Sequence, residues 1–286
     1  MNRSDRIKLS FIRNWNFPGK ERLSHRMKPS KELKTTLRDG IIWLNREEIA
    51  IYTTADNYIE HTILSTGTYE DEIGKLINIS LKPGFVALDI GANIGLQSIR
   101  MSKCVGDSGF VYAFEPLNYL QTKFKRNISL NNCANITLMP IALSDREEKL
   151  NLKIHENEWN QGTFSLAHTD QGNSHQEVSV KTGDQLSEIQ NLSRIDLIKI
   201  DVEGFEYHVL KGLSATIHKH QPRIIFEYDE NYWTRTGQSI VDCYNFLKAL
   251  NYNLYQVSAL SCELIFMPTA IIGGNLFCLP VNQVPS

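Results

Sequence analysis

The sequence predicts an α/β fold: a mostly parallel sheet with one reversed strand and helices on both faces. Three observations predict it. From Phe85 onward, short apolar runs alternate with segments of helical period, which implies right-handed βαβ crossovers and a sheet covered on both sides. A glycine turn, Gly91 to Gly95, follows the first of these runs, where open α/β sheets place their ligands beyond the carboxyl ends of the strands. The last two runs, residues 252–257 and 275–279, have no helix between them and are expected to pair antiparallel.

The elements follow in order. Residues 1–30 read as an irregular basic leader with Phe11, Trp15 and Phe17 scattered in it. Residues 33–54 hold two strand-like runs, the first ending near Asp39-Gly40, a turn signal that favours a hairpin. Residues 58–64 and 69–79 look helical, the second stopping before Pro83-Gly84. Residues 1–64 therefore form an N-terminal extension and residues 65–286 the main domain. Within the domain, 86–90 is a strand and the segment after the glycines runs as a helix to Val105. Residues 110–114 are the second strand, and Leu117, Leu120, Phe124 and Ile128 mark one helical face. Strands at 136–141 and 195–200 come next. Val209, Leu210, Leu213 and Ile217 define a further helix, stopped by Pro222 before a strand at 223–226, and 240–250 is helical. The stretch 142–194 interrupts the alternation with two strands, 150–154 and 177–180, around a polar segment at 157–174. That segment is too long for an idle connection and is a candidate lid or substrate loop.

Composition narrows the class. Of 286 residues, 42% are apolar and 22% charged, the balance of a globular chain with a large core. Residues 1–38 hold eleven Lys and Arg against three Asp and Glu, a local balance of +8 that leaves −10 for the rest of a chain of net charge −2. Such an arm can favour an anionic membrane surface or be a solvated leader, and the overall charge gives no argument for a nucleic-acid partner. The five cysteines (Cys104, Cys133, Cys243, Cys262 and Cys278) are odd in number and contain no C-x-x-C, which speaks against a disulfide framework or zinc site. No apolar h-region starts the chain and no run approaches the roughly 20 residues of a membrane span. A cytoplasmic protein is expected.

Three motifs carry chemistry. In Val86-Ala-Leu-Asp89-Ile-Gly91-Ala92-Asn93-Ile-Gly95 a buried strand ends at Asp89 and turns into a helix. Gly91 lets backbone approach a ligand, Gly95 lets strand and helix pack closely, and the first helical amides are expected to face the ligand as donors. A dinucleotide fingerprint would read G-x-G-x-x-G. Here Asn93 takes the middle position and Asp89 precedes the turn, an acid that repels a pyrophosphate and suits an ammonium. In Ala113-Phe-Glu115-Pro116 the carboxylate can accept from both hydroxyls of a ribose; the same residue would also serve as an acid at a helix N-terminus. Its place 26 residues after Asp89, in the neighbouring βα unit, favours the ribose. In Ile198-Lys-Ile-Asp201-Val-Glu203-Gly204 two carboxylates sit where the fourth strand ends. One could accept a substrate proton while the other orients the substrate, with a helix cap and acidic first turn as the alternative. A fourth acid, Glu227, ends the fifth strand near the same edge.

These motifs give the chain its likeness: it resembles the FkbM family of methyltransferases. The matching pieces are Gly67 to Glu70, Leu88 to Gly95, Val111 to Pro116, Asn127 through Asn131, Ala142 to Asp145, Ile195 to Gly204, Val209 to Gly212 and Ile225 to Glu227. They run in order over roughly residues 65–280. Thr182-Gly-Asp184 departs from the family, which usually carries Leu before the Asp. The resemblance implies a class I methyltransferase (Rossmann-like) fold, seven strands with one reversed. It implies S-adenosylmethionine as donor and O-methylation, typically of a sugar or natural-product hydroxyl. It places Gly91, Asn93 and Gly95 along the methionine part, and Asp89, Ala92 and Asp201 are also expected to bind the cofactor. It puts Glu115 and Pro116 at the ribose, the Ala142 to Asp145 loop near adenine, and Glu70 toward the cofactor's amino-acid end.

Methyl transfer from a sulfonium is an in-line displacement in which positioning counts for much, and a sugar hydroxyl benefits from a general base. Asp201 is the first candidate base, Glu203 the second, and Glu227 could orient the acceptor. His168, in the polar segment between His155 and His175, could face the acceptor, although surface histidines are the commoner case. Trp159, Tyr232 and Trp233 could stack on a sugar or pack in the core. No metal site is predicted. The acceptor is expected to be a small molecule or glycan. The competing readings are an NAD(P)-dependent oxidoreductase, which lacks its glycine spacing here, a non-catalytic module with a relic site, and transfer to nitrogen or carboxylate.

Overall fold

The computed structural model describes residues 40–44, 47–53, 57–154, 174–258, 264–267 and 273–283. Its first elements are β1 (Gly40–Trp43) and β2 (Ala50–Thr53), paired antiparallel with Gly40 opposite Thr53. Gly40 thus lies inside the ladder, and the reversal falls after Trp43 rather than at Asp39-Gly40. Helices α1 (Tyr58–Thr66) and α2 (Asp71–Ser80) follow. The Asn57 side chain caps α1 by accepting from the Glu60 amide, and Gly67 closes it in the left-handed conformation.

The alternating unit then runs β3 (Val86–Ile90), α3 (Leu96–Val105), β4 (Phe110–Phe114), α4 (Asn118–Leu130) and β5 (Ile136–Met139). After an excursion come α5 (Ser187–Gln190), β9 (Leu197–Ile200), α6 (Glu206–Gly212), α7 (Ser214–His220) and β10 (Arg223–Tyr228). The order ends with α8 (Glu230–Arg235), α9 (Ile240–Ala249), β11 (Tyr252–Val257), β12 (Leu264–Phe266) and β13 (Gly274–Pro280). The sheet order is β12-β11-β13-β10-β9-β3-β4-β5. Strands β10, β9, β3, β4 and β5 are parallel, and β13 runs antiparallel to both β10 and β11. The seven strands expected are present with the reversed one where the missing helix placed it. The short β12, antiparallel to β11, adds an eighth at the edge.

The excursion after β5 forms a second sheet. It comprises β6 (Ala142–Ser144), β7 (Glu148–Ile154) and β8 (Ser174–Thr182), with β8 in the middle. The expected strands at 150–154 and 177–180 are its hairpin; β6, parallel to β8, was not anticipated. Residues 157–173 of the suggested lid, and the leader at 1–38, lie outside the described residues.

Strand periodicity sends successive side chains to opposite faces. Leu88, Ile198, Ile200, Ile224, Phe226 and Leu276 join α6, α7 and α9 in one buried cluster. Ala87, Leu197, Ile225 and Phe277 join α2, α3 and α4 in the other. The hairpin and α1 belong to the second cluster through Leu44, Ile49, Ile51 and Ile63. They are also tied down by Asn131, whose side chain bonds both the amide and the carbonyl of Ala50, and by Asn127, which accepts from the Tyr52 amide. Among the described residues no helix is long and apolar enough to cross a membrane.

Candidate functional site

The carboxyl ends of β3, β4 and β9 meet at one edge. Asp89 is paired with Lys199, and Ile90 and Ile200 are neighbours on the same strands. The turn after β3 is packed tightly against the one after β9. Gly91 has φ +80, and a Cβ there would come 1.9 Å from the Asp201 carbonyl oxygen. Gly95, at φ +89, sits under the Phe124 ring, which a Cβ would meet at 2.8 Å. Both glycines are therefore demanded by backbone conformation and by contact.

The amides of this turn are already used. Gly91 and Ala92 both donate to the Phe114 carbonyl at 3.0 Å, Asn93 donates to Glu115 Oε2 at 2.9 Å, Ile94 to Asn93 Oδ1 at 2.8 Å, and Gly95 to the Ala92 carbonyl at 2.9 Å. The five amides from Gly91 to Gly95 are thus satisfied within the chain, whereas the first helical amides, expected from the sequence to face a ligand, are those from Leu96 onward.

Glu115 is the centrepiece. It is 4% exposed, and its carboxyl accepts from the Asn93 amide and, through Oε1, from the Leu117 amide at 2.9 Å. A carboxylate has about four lone-pair sites, so acceptor capacity remains on both oxygens. Burial pushes its pKa up to about 8, against the opposing pull of the two amides.

A cleft of about 610 Å³, counting its open mouth, runs past this carboxyl. Phe114, Leu117, Leu120, Ile141, Ala142 and Leu143 line an apolar part, while Gly91, Asn93, Asp201, Val202 and Glu203 line the other. Gly91, Asn93, Glu115, Pro116, Ala142, Asp201 and Glu203 are thus brought together, as the sequence suggested. Asp89, Ala92, Gly95, Glu70 and Glu227 do not line it. Asp89 is fully buried beneath the turn, where Ser98 Oγ donates to its Oδ2 and burial raises its pKa.

The acids beyond Asp89 share one face of the sheet. Asp89, Lys199 and Ile225 are mutually in register, and two residues on, Asp201 and Glu227 leave β9 and β10 on that same side. Lys199 Nζ lies 3.0 Å from Asp201 Oδ2 and 3.8 Å from Asp89 Oδ1. Glu70, at the start of α2 with φ +49, faces the same group; Gln97 Nε2 donates to it at 2.8 Å. Arg100 holds the adjoining backbone by donating to the Tyr69 and Glu70 carbonyls while paired with Glu47 at 2.5 Å. Burial raises the Glu70 pKa, with Asp201 adding to it. Burial likewise raises Glu203 and Glu227, and in both the charge of Asp201 adds most after burial. Burial opposes the charge on Lys199, but Asp201, Asp89 and Glu70 outweigh it and its pKa is raised.

Glu206 was not singled out by its position in the sequence, yet it shapes the site. It is buried, and its carboxyl accepts from the Val202 amide at 3.0 Å and the Gly204 amide with both oxygens. This fixes the turn in which Glu203 (φ +52) and Gly204 (φ +100) take left-handed conformations. Only its offset of five residues from Asp201 hinted at it. Burial raises the pKa of Glu206 to about 7.

Asp145 pairs with His208 Nδ1 at 3.0 Å and with Lys211, and these partners hold its pKa at about 2 despite partial burial. Trp233 is buried among Phe226, Tyr228 and Tyr207, so it packs in the core and offers no face to a sugar. Tyr232 is half-buried, and His175 is exposed. Trp159, His155 and His168 lie outside the described residues. Among the described residues no three of His, Cys, Asp and Glu are arranged to hold a metal ion.

The family model "Methyltransferase FkbM domain" matches residues 89–254. The chain belongs to this family, and its fold is α/β with a mostly parallel sheet and one reversed strand. It is similar to "Methyltransferase 1" of Beauveria bassiana (strain ARSEF 2860), 31% identical over 143 residues that make up 44% of this chain and 57% of the relative. It is also similar to "Methyltransferase sdnD" of Sordaria araneosa, 28% identical over 185 residues, 54% of this chain and 70% of that one. The match thus spans a little over half of the first relative's length. Among solved structures, the methyltransferase FkbM of Methylobacillus flagellatus KT aligns with a TM-score of 0.44 at 15% identity, covering 77% of this chain and 53% of that one.

Proposed function

We propose that this protein transfers a methyl group from S-adenosylmethionine to a hydroxyl oxygen of a small neutral acceptor such as a sugar, a glycan or a secondary metabolite. The observation that carries the reading is Glu115. Its buried carboxyl has spare acceptor capacity at the floor of the cleft, between an apolar end suited to an adenine and an acidic end suited to a cation. The residues present fit that cofactor better than a dinucleotide, because Asn93 stands where a pyrophosphate fingerprint carries its middle glycine and the amides from Gly91 to Gly95 already have protein acceptors. The names of the two curated relatives also support methyl transfer.

In this reading Glu115 accepts from the ribose hydroxyls, Leu117, Ala142 and Leu143 enclose the base, and Asp201 and Glu70 attract the cationic amino-acid end. When bound, S-adenosylmethionine supplies an electrophilic methyl on a sulfonium. Asp201, paired with Lys199 and 28% exposed at the cleft, takes the proton of the acceptor hydroxyl. Glu203 and Glu227, whose raised pKa values favour the protonated form, donate hydrogen bonds that orient the acceptor. The same acidic set disfavours polyanions such as nucleic acids. It would also attract an amine, so transfer to nitrogen is the second reading.

The test is a panel of hydroxylated and amine acceptors with methyl-labelled S-adenosylmethionine, following S-adenosylhomocysteine. Asp201→Asn is expected to lose about 100-fold or more in turnover at saturating S-adenosylmethionine. Normal turnover in that variant assigns the base elsewhere, and absence of S-adenosylmethionine binding by the native protein overturns the reading. Transfer to amines alone would replace the hydroxyl acceptor with nitrogen.

A further inference from the structure

Strand β8 takes no part in the chemistry above, yet it reaches the walls of the cleft at two points. At one end it pairs in parallel with β6, Val180 opposite Ala142, and Ala142 and Leu143 line the apolar part of the cleft. At the other end stands Gln176. Its Oε1 accepts from the Asn118 amide at 3.0 Å, and its Nε2 donates to the Pro116 carbonyl at 2.7 Å. A backbone donor on one side and a backbone acceptor on the other fix which end of the side-chain amide is which. Leu117, between the two bonded residues, also lines the cleft.

The register explains the placement. Gln176, Val178 and Val180 follow at intervals of two and share one face of β8. Val178 and Val180 are buried in the same cluster as Leu117, Leu120 and Ala142. Gln176 is half-buried at the end of that row, opposite the buried Leu152 of β7. About 13 Å of strand separates it from Val180. The segment it grips has few other ties. Leu117 gives the start of α4 no side-chain cap, so Gln176 serves the first helical amide from another sheet. Gln121 donates to the Glu115 and Pro116 carbonyls at 3.0 and 3.1 Å, and with Gln176 it gives the Pro116 carbonyl two donors. The Leu117 amide in turn donates to Glu115 Oε1, so whatever fixes this segment also fixes that carboxyl.

We propose that Gln176 is a positioning residue for the nucleoside end of the cofactor, and that β8 is a strut holding both walls of the apolar part of the cleft. It holds the 116–118 segment through Gln176, and Ala142 and Leu143 through its pairing with β6. The purpose rests on the methyltransferase reading; the geometry stands without it. The second sheet is thereby part of the binding site. When the grip of Gln176 is lost, the ligand itself must order the segment, and affinity falls by that cost.

Calorimetry with S-adenosylhomocysteine and with methylthioadenosine, which keeps the nucleoside and lacks the amino-acid end, tests the strut at a temperature where every variant is folded. Gln176→Met keeps the reach of the side chain and makes neither hydrogen bond. It is expected to bind both compounds about tenfold more weakly, from the two bonds lost. Glu177→Gln, on the opposite face of β8 and paired with Lys149 at the surface, is expected to bind both as the native protein does. A purely structural glutamine would lower the thermal midpoint and leave both affinities unchanged, and that result overturns the proposal. So does a loss confined to S-adenosylhomocysteine, which would put the effect at the amino-acid end. Should Gln176→Met fail to fold, Gln176→Ala carries the same test. Amide exchange in the free protein separates this outcome from the methyltransferase reading. The Asn118 amide is expected to exchange about tenfold faster in the variant, and equal rates overturn the strut. Native protein that binds neither compound defeats the methyltransferase reading, while the exchange rates still decide whether Gln176 holds the segment.

Discussion

Glu115 gives the sharpest prediction, because its burial couples cofactor binding to a proton. In the free protein its pKa stands near 8, so at pH 7 roughly nine-tenths of the molecules carry the proton. Two ribose hydroxyls can donate only to lone pairs, and they favour the ionised form. Binding S-adenosylmethionine should therefore release a proton, and affinity should rise with pH. If the bound carboxyl titrates below pH 6, affinity increases about 50-fold between pH 6 and pH 8, close to the limit of tenfold per pH unit. The assay is isothermal titration calorimetry in buffers of different ionisation enthalpy at both pH values. Glu115→Gln supplies the control. It keeps the volume, but its single acceptor oxygen cannot serve both the Asn93 and Leu117 amides, and its amide cannot release a proton. The variant should bind about 10- to 100-fold more weakly, from a lost charged hydrogen bond of about 1.5–3 kcal/mol, and lose the steep pH dependence. Equal affinity at pH 6 and pH 8 in the native protein, or the same slope in the variant, would refute the argument.

Two further substitutions probe the frame. Gly91→Ala places a methyl against the Asp201 carbonyl at a backbone φ of +80. Left-handed strain of about 1–2 kcal/mol and overpacking of about 1–3 kcal/mol should together lower stability in urea titration by about 2–5 kcal/mol, and an unchanged midpoint would show that the two turns do not touch. Glu206→Gln removes one of the two oxygens that serve the Val202 and Gly204 amides. It should cost about 1–3 kcal/mol, seen as a thermal midpoint lower by about 2–10 °C; no shift would mean that Glu206 does not hold the acidic turn.

The sheet was legible because its signals are local. Strand β3 and the helices after it announce themselves through apolar period, and the absence of a helix between β11 and β13 foretold the reversed strand. What escaped depends on distant partners. Strand β6 has three residues and exists because β8, far along the chain, pairs with it. The apolar row Val209, Leu210, Leu213 and Ile217 reads as one helix, yet it breaks between α6 and α7. Gly212 is pressed against the Ser144 carbonyl, where a Cβ would meet it at 2.0 Å. The Asp184 carboxylate caps the new start by accepting from the Ala215 and Thr216 amides at 2.8 Å.

The site divides in the same way. Glu115, Asn93 and Asp201 line one cleft because strand ends in such sheets meet at one edge. The prior satisfaction of the turn's amides was hidden, since it needs the Phe114 carbonyl and Glu115 from the neighbouring unit. Asp89 had suggested a ligand contact from its place in the sequence; its alternation with Ile90 instead aims it at the α3 face, against Ser98 and Lys199. Lys199 itself drew no notice, because a lysine in an apolar strand gains its meaning only once the register sets it between two acids.

The most direct test of the central claim is a crystal structure of the protein with S-adenosylhomocysteine. The account predicts the ribose hydroxyls on the Glu115 carboxyl, the adenine against Leu117, Ala142 and Leu143, and the amino-acid end toward Asp201 and Glu70. A nucleoside lodged elsewhere, or bound with Glu115 out of reach of its ribose, would contradict it.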